Sequence, residues 1–341
     1  MKSEIIRFKN RKKEKNMKQL LILTLINFKK YFYIFIILFI IFISLFSSFI
    51  IIIHKNNNNY IKNINIKELI QSETNFDNKI CQFINTKLKN RKKPFDFEEE
   101  LCFIISLIAC KIPFSFIRFA DGENYIMRGK KINVGIDNWN WDDKNQKFRE
   151  SLIESSSICL NPNNFIAIPC KNWFTISKSI LSFSKCSNSK YMSYASVFYN
   201  KNFEFFQKWI VKFINSSNRW KIVLVANSLV NKDISWAYKF FPIPEHIVEK
   251  WDELSDTLLP KLEDEAKKSK MIFFVSAGPA ANIIISHLIK INNKNIYIDF
   301  GSSIEMITKG FSTRYYLKNG VESFKSCESF YLENHIPIYL E

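Results

Sequence analysis

Glycine is scarce: the chain has 7 in 341 residues, where ordinary usage near 7% would give roughly 24. This excludes collagen-like, Gly/Ser-linker and glycine-rich disordered chains. Histidine is rarer still, and His54, His246, His287 and His335 form no pair at helical metal-ligand spacing. The seven cysteines contain no C-x-x-C, so zinc-ribbon and thioredoxin-like readings fail. No Walker A lysine loop and no G-x-S-x-G elbow occurs, which removes P-loop and α/β-hydrolase chemistry. What the chain does have is apolar material: 47% hydrophobic residues, 16% aromatic, with 33 phenylalanines, ample for a core. Each remaining glycine is therefore expected where a side chain does not fit.

The net charge of +17 is unevenly placed. Residues 1–55 carry +9, residues 56–100 carry +1, and residues 101–341 carry +7. With more than half of the excess in the N-terminal segment, and no basic face joined to a recognisable module, no nucleic-acid partner is expected.

Tyr31 to Ile53 is a run of 23 residues without a charge. As a helix it reaches about 34 Å, enough to cross the hydrocarbon core of a bilayer. A cleavable signal peptide has a shorter apolar region and a small-residue cleavage site, and neither is present. Seven basic residues lie in the twenty positions upstream and three in the twenty downstream. This bias places the N-terminus in the cytoplasm and the C-terminal part on the far side, a single-pass type II arrangement. In a eukaryote, or a virus that infects one, the far side is the ER/Golgi lumen. The expected organisation is a basic cytoplasmic tail at 1–30, a transmembrane signal anchor at 31–53, a stem at 54–95 and a globular domain at 96–341. The stem includes Asn56 to Asn59 and closes on Arg91-Lys92-Lys93-Pro94, with room for helix between Ile66 and Leu88. All seven cysteines follow the apolar run, so some pair in an oxidising compartment and the odd number leaves at least one unpaired. Asn215-Ser216-Ser217 is a glycosylation sequon.

Asp96 and Glu99 have capping-box spacing at the start of a helix that Pro113 stops. Phe114 to Ala120 then reads as a strand and runs into Asp121-Gly122-Glu123. Phe165 to Pro169 and Lys221 to Ala226 read as buried strands, and Ile247 to Lys268 as a long amphipathic helix. Met271 to Val275, the turn Ser276-Ala277-Gly278-Pro279, a helix from Ala280 to Ile291 and a strand from Ile296 to Phe300 form a βαβ unit. The expected fold class is α/β with a mostly parallel sheet and flanking helices.

Three of the glycines gain meaning from that pattern. Gly122, Gly278 and Gly301 each follow an expected strand, and ligands of open α/β sheets bind outside the carboxyl ends of the strands. Gly278 lets backbone approach a ligand, and Pro279 suits the first position of a helix whose free N–H groups attract phosphate. Asp121 and Glu123, separated by an unhindered residue, have the hard oxygen donors that suit Mg²⁺ or Mn²⁺.

The segment Phe116-Ile117-Arg118-Phe119-Ala120-Asp121-Gly122-Glu123 resembles the Arg-Phe-Gly-Asp-Gly-Glu segment of the GT-D-fold glycosyltransferases, formerly a domain of unknown function. The resemblance continues through Arg128-Gly129, Phe240 to Pro244, Ser276 to Ala281 and Ile298 to Gly301, and covers roughly residues 100–310. It implies a Rossmann-like, GT-D-like sheet and transfer of a sugar from a nucleotide-sugar donor to a glycan or glycoprotein acceptor. It implies Asp121 and Glu123 as metal and catalytic residues and Asp299 as a catalytic residue at the neighbouring strand end. Arg118, Gly122, Ser276, Gly278 and Gly301 become donor-binding positions. Two departures stand out: Ala120 replaces the family's usual glycine, and Ser302 stands where a histidine often follows. They keep a second reading open, a non-catalytic membrane-tethered binding protein on a transferase fold. A third is another phosphate-handling α/β enzyme.

Arg118, Arg128, Lys130 and Lys131 are available as positive charge near the leaving group. Asp299, Asp137 and Glu305 are candidate bases for an acceptor hydroxyl. Trp139 and Trp141 are candidates to stack on a sugar, although aromatics more often serve packing.

Overall fold

In the computed structural model, residues 66–72, 76–134, 139–169, 174–184, 186, 189–216, 221–230 and 233–312 are described. The expected tail and membrane anchor lie outside them. No helix among the described residues is long and apolar enough to cross a membrane.

The apolar runs become the strands of a parallel sheet, buried on both faces except along the edge strand at 239–243, where exposed and buried residues mix. The strands are β1 (Phe114–Arg118), β4 (Asn164–Ile168), β5 (Met192–Tyr194), β6 (Lys221–Asn227), β7 (Lys239–Ile243), β8 (Met271–Ser276) and β9 (Ile296–Asp299). Between β1 and β4 lies a small antiparallel ribbon of β2 (Ile132–Val134) and β3 (Trp139–Trp141). The seven strands form one sheet in the order β5-β4-β1-β9-β8-β6-β7, with every neighbouring pair parallel. The edges explain themselves. β5 has three residues, and β7 carries an exposed Pro242 that only an edge strand tolerates.

The helices in chain order are α1 (Ile66–Ser72), α2 (Asn78–Asn90), α3 (Phe97–Ala109), α4 (Asp121–Met127), α5 (Gln146–Ser155), α6 (Phe174–Phe183), α7 (Phe203–Ser216), α8 (Trp251–Ala266), α9 (Ala280–Ile291) and α10 (Glu305–Thr308). On one side of the central strands the core is a run of aromatic rings. Phe198 meets Phe116 at 5.4 Å, Phe206 at 5.0 Å and Phe300 at 4.9 Å, and Phe300 meets Phe274 at 4.8 Å. Each fully buried ring contributes about 1.5–3 kcal/mol by burial alone.

The folded body begins earlier than the Asp96 start read from the sequence. Ile80, Ile84 and Leu88 are buried along one face of α2, and Asp77 caps that helix by accepting the Ile80 N–H at 2.9 Å. Cys81 is disulfide-bonded to Cys110 just beyond α3. Arg91 is buried and donates from Nη2 to Glu100 Oε1 at 2.7 Å and to the Met192 carbonyl at 2.6 Å. At least residues 78–95 of the expected stem therefore pack into the domain. The Asp96 capping box does not form: the Asp96 side chain caps nothing, and Glu99 pairs with Lys87 instead.

Candidate active site

The sheet has two halves. The chain lays down β1, β4 and β5 toward one edge, crosses over, and fills the other half with β6 to β9. β1 and β9 meet at the centre with Phe116 opposite Ile298, so their carboxyl ends lie side by side. Such a change of direction is where open α/β sheets form their ligand crevice.

The last residues of these two strands face each other. Arg118 donates from Nε and Nη2 to the two carboxylate oxygens of Asp299, at 3.2 and 3.3 Å. Its Nη1 donates to Tyr199 Oη at 2.8 Å and to the Ala195 carbonyl at 3.3 Å. Asp299 also accepts the Gly301 N–H at 2.9 Å. Asn282, buried in α9, receives the Arg118 N–H and donates to the Arg118 carbonyl, so it takes both backbone groups at the end of β1. Burial works against the Arg118 charge, but Asp299 and Tyr199 outweigh it and raise the guanidinium pKa. Burial pushes the Asp299 carboxyl upward while Arg118 and the Gly301 N–H pull against it.

The three glycines expected after strands lie just beyond β1, β8 and β9, and at two of them, Gly122 and Gly301, an added Cβ would crowd a named side chain. Gly301 has φ +49°, and a Cβ on it would overlap Arg118 Nη2. A Cβ on Gly122 would lie 2.9 Å from Trp139 Cη2. Gly278 has φ +54°, and its Cβ position is 3.7 Å from Trp139 Nε1. Ser276 Oγ donates to the Gly301 carbonyl at 2.8 Å, which joins the β8 and β9 turns. The backbone face that the sequence reading reserved for a ligand at Gly278 thus lies beside an indole.

Asp121 and Glu123 open α4 directly beyond β1. Asp121 is exposed, while Glu123 is half-buried and accepts the Ala120 N–H at 2.9 Å, one half of a capping box. Burial, with the Asp299 and Asp121 charges adding to it, pushes the Glu123 carboxyl up to about 7 against its backbone N–H bonds. The locality holds three carboxylates and one guanidinium already committed to Asp299. Among the described residues no group of three or more His, Cys, Asp or Glu side chains is arranged to hold a metal. A pair of carboxylates completed by water and phosphate oxygens is nonetheless an ordinary Mg²⁺ environment, so Asp121 and Glu123 fit such an ion.

The other described candidates are exposed, buried or engaged by other partners. Asp137 lies outside the described residues. Glu305 is engaged by Lys309 at 3.2 Å and by Ser312 Oγ at 2.8 Å. Arg128, Lys130 and Lys131 are exposed, with Lys131 paired to Asp143. Trp139 and Trp141 are both buried, so neither presents an open face to a sugar. Ser302 lies 3.3 Å from Tyr199 Oη. Sequence reasoning missed Tyr199 and Asn282. For Asn282 a signal exists, a lone amide in the apolar run Ala280 to Ile285; for Tyr199 there is none.

No family model matches the sequence, and no curated protein does. The fold is similar to a solved structure described as "The highly conserved domain of unknown function 1792 has a distinct glycosyltransferase fold", at 16% identity and TM-score 0.46, covering 70% of this chain and 94% of that one. A selenomethionine-substituted structure of domain of unknown function 1792 is similar at 16% identity and TM-score 0.42, covering 71% and 94%. The likeness is one of fold alone.

Proposed function

We propose that the chain is a membrane-anchored, metal-dependent glycosyltransferase that moves a sugar from a nucleotide-sugar donor to a glycan or glycoprotein acceptor. The observation that carries this reading is the convergence at one sheet edge of Asp121 and Glu123, the Ser276 to Gly278 turn with the N-terminus of α9, and the Arg118–Asp299 pair. Asp121 and Glu123 hold Mn²⁺ or Mg²⁺, which when bound neutralises charge on the departing diphosphate. The turn at Gly278 and the first N–H groups of α9 receive phosphate oxygens. Arg118 and Asp299, committed to each other, act as positioning residues that fix the ends of β1 and β9. In the transfer, the acceptor oxygen bonds to the anomeric carbon and gives up its proton to solvent, while the bond from that carbon to the diphosphate oxygen breaks and the nucleoside diphosphate leaves with the electron pair.

The apolar run at 31–53 supplies the anchor, with the N-terminus cytoplasmic. Disulfides Cys81–Cys110 and Cys159–Cys186 support placement of the domain in an oxidising compartment. Asp121→Asn combined with Glu123→Gln removes both metal-ligating charges with little change of volume. Loss of Mn²⁺-dependent nucleotide-sugar turnover in that variant supports the reading. Unchanged turnover sinks it, and nucleotide binding without any turnover favours the binding-protein alternative.

A further inference from the structure

Gly122 raises a question that the proposed chemistry does not answer. It sits inside α4, where glycine costs about 0.5–1 kcal/mol against alanine. Its φ is not positive, unlike those of Gly129, Gly278, Gly301 and Gly310, so the backbone itself does not demand glycine. What excludes a methyl group is Trp139, with Cη2 at 2.9 Å and Cζ2 at 3.1 Å from the Cβ position. The pyrrole end of the same indole edge, Nε1 and Cδ1, lies 3.7 and 4.0 Å from the Cβ position of Gly278. One side chain therefore lies beside both the first turn of α4, beyond β1, and the turn beyond β8, although β9 separates those strands in the sheet.

The indole is buried and the residues that follow it in the chain are tied down. Trp139 is 8% exposed. The next residue, Asn140, donates its backbone N–H to Glu249 Oε1 at 2.9 Å. Trp141 Nε1 donates to the Asn145 carbonyl at 3.0 Å, and Asn145 Nδ2 donates to the Val248 carbonyl at 2.7 Å. An indole this enclosed has almost no free face for a base or a sugar, but it is well placed to set the distance between the two turns.

We propose that Trp139 is a positioning residue of the donor site, a spacer between the Asp121-Gly122-Glu123 turn and the Ser276-Ala277-Gly278 turn. It fixes how far the carboxylates stand from the turn that receives the phosphates of a nucleotide-sugar donor. The proposal rests on the glycosyltransferase reading for the ligand but on geometry alone for the spacer.

The test uses the full-length chain in detergent. Trp139→Phe shortens the spacer, and the donor KM rises about tenfold or more while the acceptor KM stays within about threefold, since misplacement near 1 Å costs up to a hundredfold. Gly122→Ala alone produces a comparable donor defect, and the double variant stays within about threefold of either single variant instead of showing the product of the two losses, the non-additivity expected of residues that share one contact. Hydrogen exchange on Trp139→Ala provides a readout independent of the reaction: segments 120–128 and 276–282 both exchange faster, with the rest of the sheet unchanged. Equal donor and acceptor effects, additive losses in the double variant, or unchanged exchange in either segment overturns the spacer. If the wild-type chain turns over no nucleotide sugar, the glycosyltransferase reading falls and the exchange measurement still decides the role of Trp139.

Discussion

Glu123 is held by a backbone N–H on one side and pressed by neighbouring charge on the other. Its carboxyl titrates near 4.5 when unfolded and at about 7 in the folded chain, with burial the larger cause and the Asp299 and Asp121 carboxylates adding to it. Between those values the folded state holds the extra proton, so cation-free protein loses stability as pH rises through the window, and the loss is complete above pH 7. Thermal melts in EDTA across that range should fall more steeply for the wild type than for Glu123→Gln, and parallel curves contradict the assignment. Asn282 is a second residue-scale case. Its amide meets both backbone groups of Arg118, so Asn282→Ala leaves two buried groups unpaired and costs about 1–3 kcal/mol, or more if neither finds water. A chemical denaturation midpoint measures it, and an unshifted midpoint removes the role. At this scale Asp121 and Glu123 were legible in the sequence because a rare glycine marks them. Tyr199 was not, because its partners Arg118 and Phe300 lie 81 and 101 residues away.

Elements were legible where a local pattern decides them. β8, α9 and β9 match their expected bounds to within a residue, since unbroken apolar runs and a Gly-Pro turn leave few alternatives. α8 starts at Trp251 rather than Ile247, because the chain turns through His246 at φ +61° before it can coil. Helix was expected between Ile66 and Leu88, but the packing of α2 into the domain was hidden: its apolar face is narrow and its neighbours are lysine-rich, so it reads as stem until Arg91 finds its distant partners. Ser193 Oγ, at 2.6 Å, and the Phe95 N–H, at 3.0 Å, complete the bonding of Glu100. Arg91→Met leaves Glu100 buried without its cation and is expected to destabilise by about 3–5 kcal/mol, with Glu100→Leu added to it recovering much of the loss. Two single variants and the double, compared by urea unfolding, check this. An Arg91→Met chain as stable as the wild type would show that residues 78–95 are not tied to the sheet edge in this way.

For the whole molecule, the alternation of strand and helix made the parallel α/β class readable, but not the strand order. Nothing local to β1 and β9 says that they become neighbours; the Arg118–Asp299 pair, 181 residues apart, appears only once they do. The compartment also belongs to this scale. Cys81–Cys110 and Cys159–Cys186 span 29 and 27 residues, while Cys102 is a free, buried thiol. Closing loops of that size contributes about 3–4 kcal/mol each. Peptide mapping without reductant should find both bridges in chain made through a secretory pathway, and reduction should lower its melting temperature. Fully reduced cysteines in natively produced protein would instead place the domain on the cytosolic side.

The central claim is that the carboxylates at the end of β1 serve nucleotide-sugar chemistry. The most direct measurement is release of nucleoside diphosphate from a panel of nucleotide sugars by the full-length chain in detergent, with Mn²⁺ and with EDTA. The account predicts release with at least one donor, abolished by EDTA and reduced about a hundredfold or more in Asp121→Asn/Glu123→Gln, in the range expected when a catalytic electrostatic contact is lost. Release that is indifferent to both the cation and the two carboxylates would contradict it.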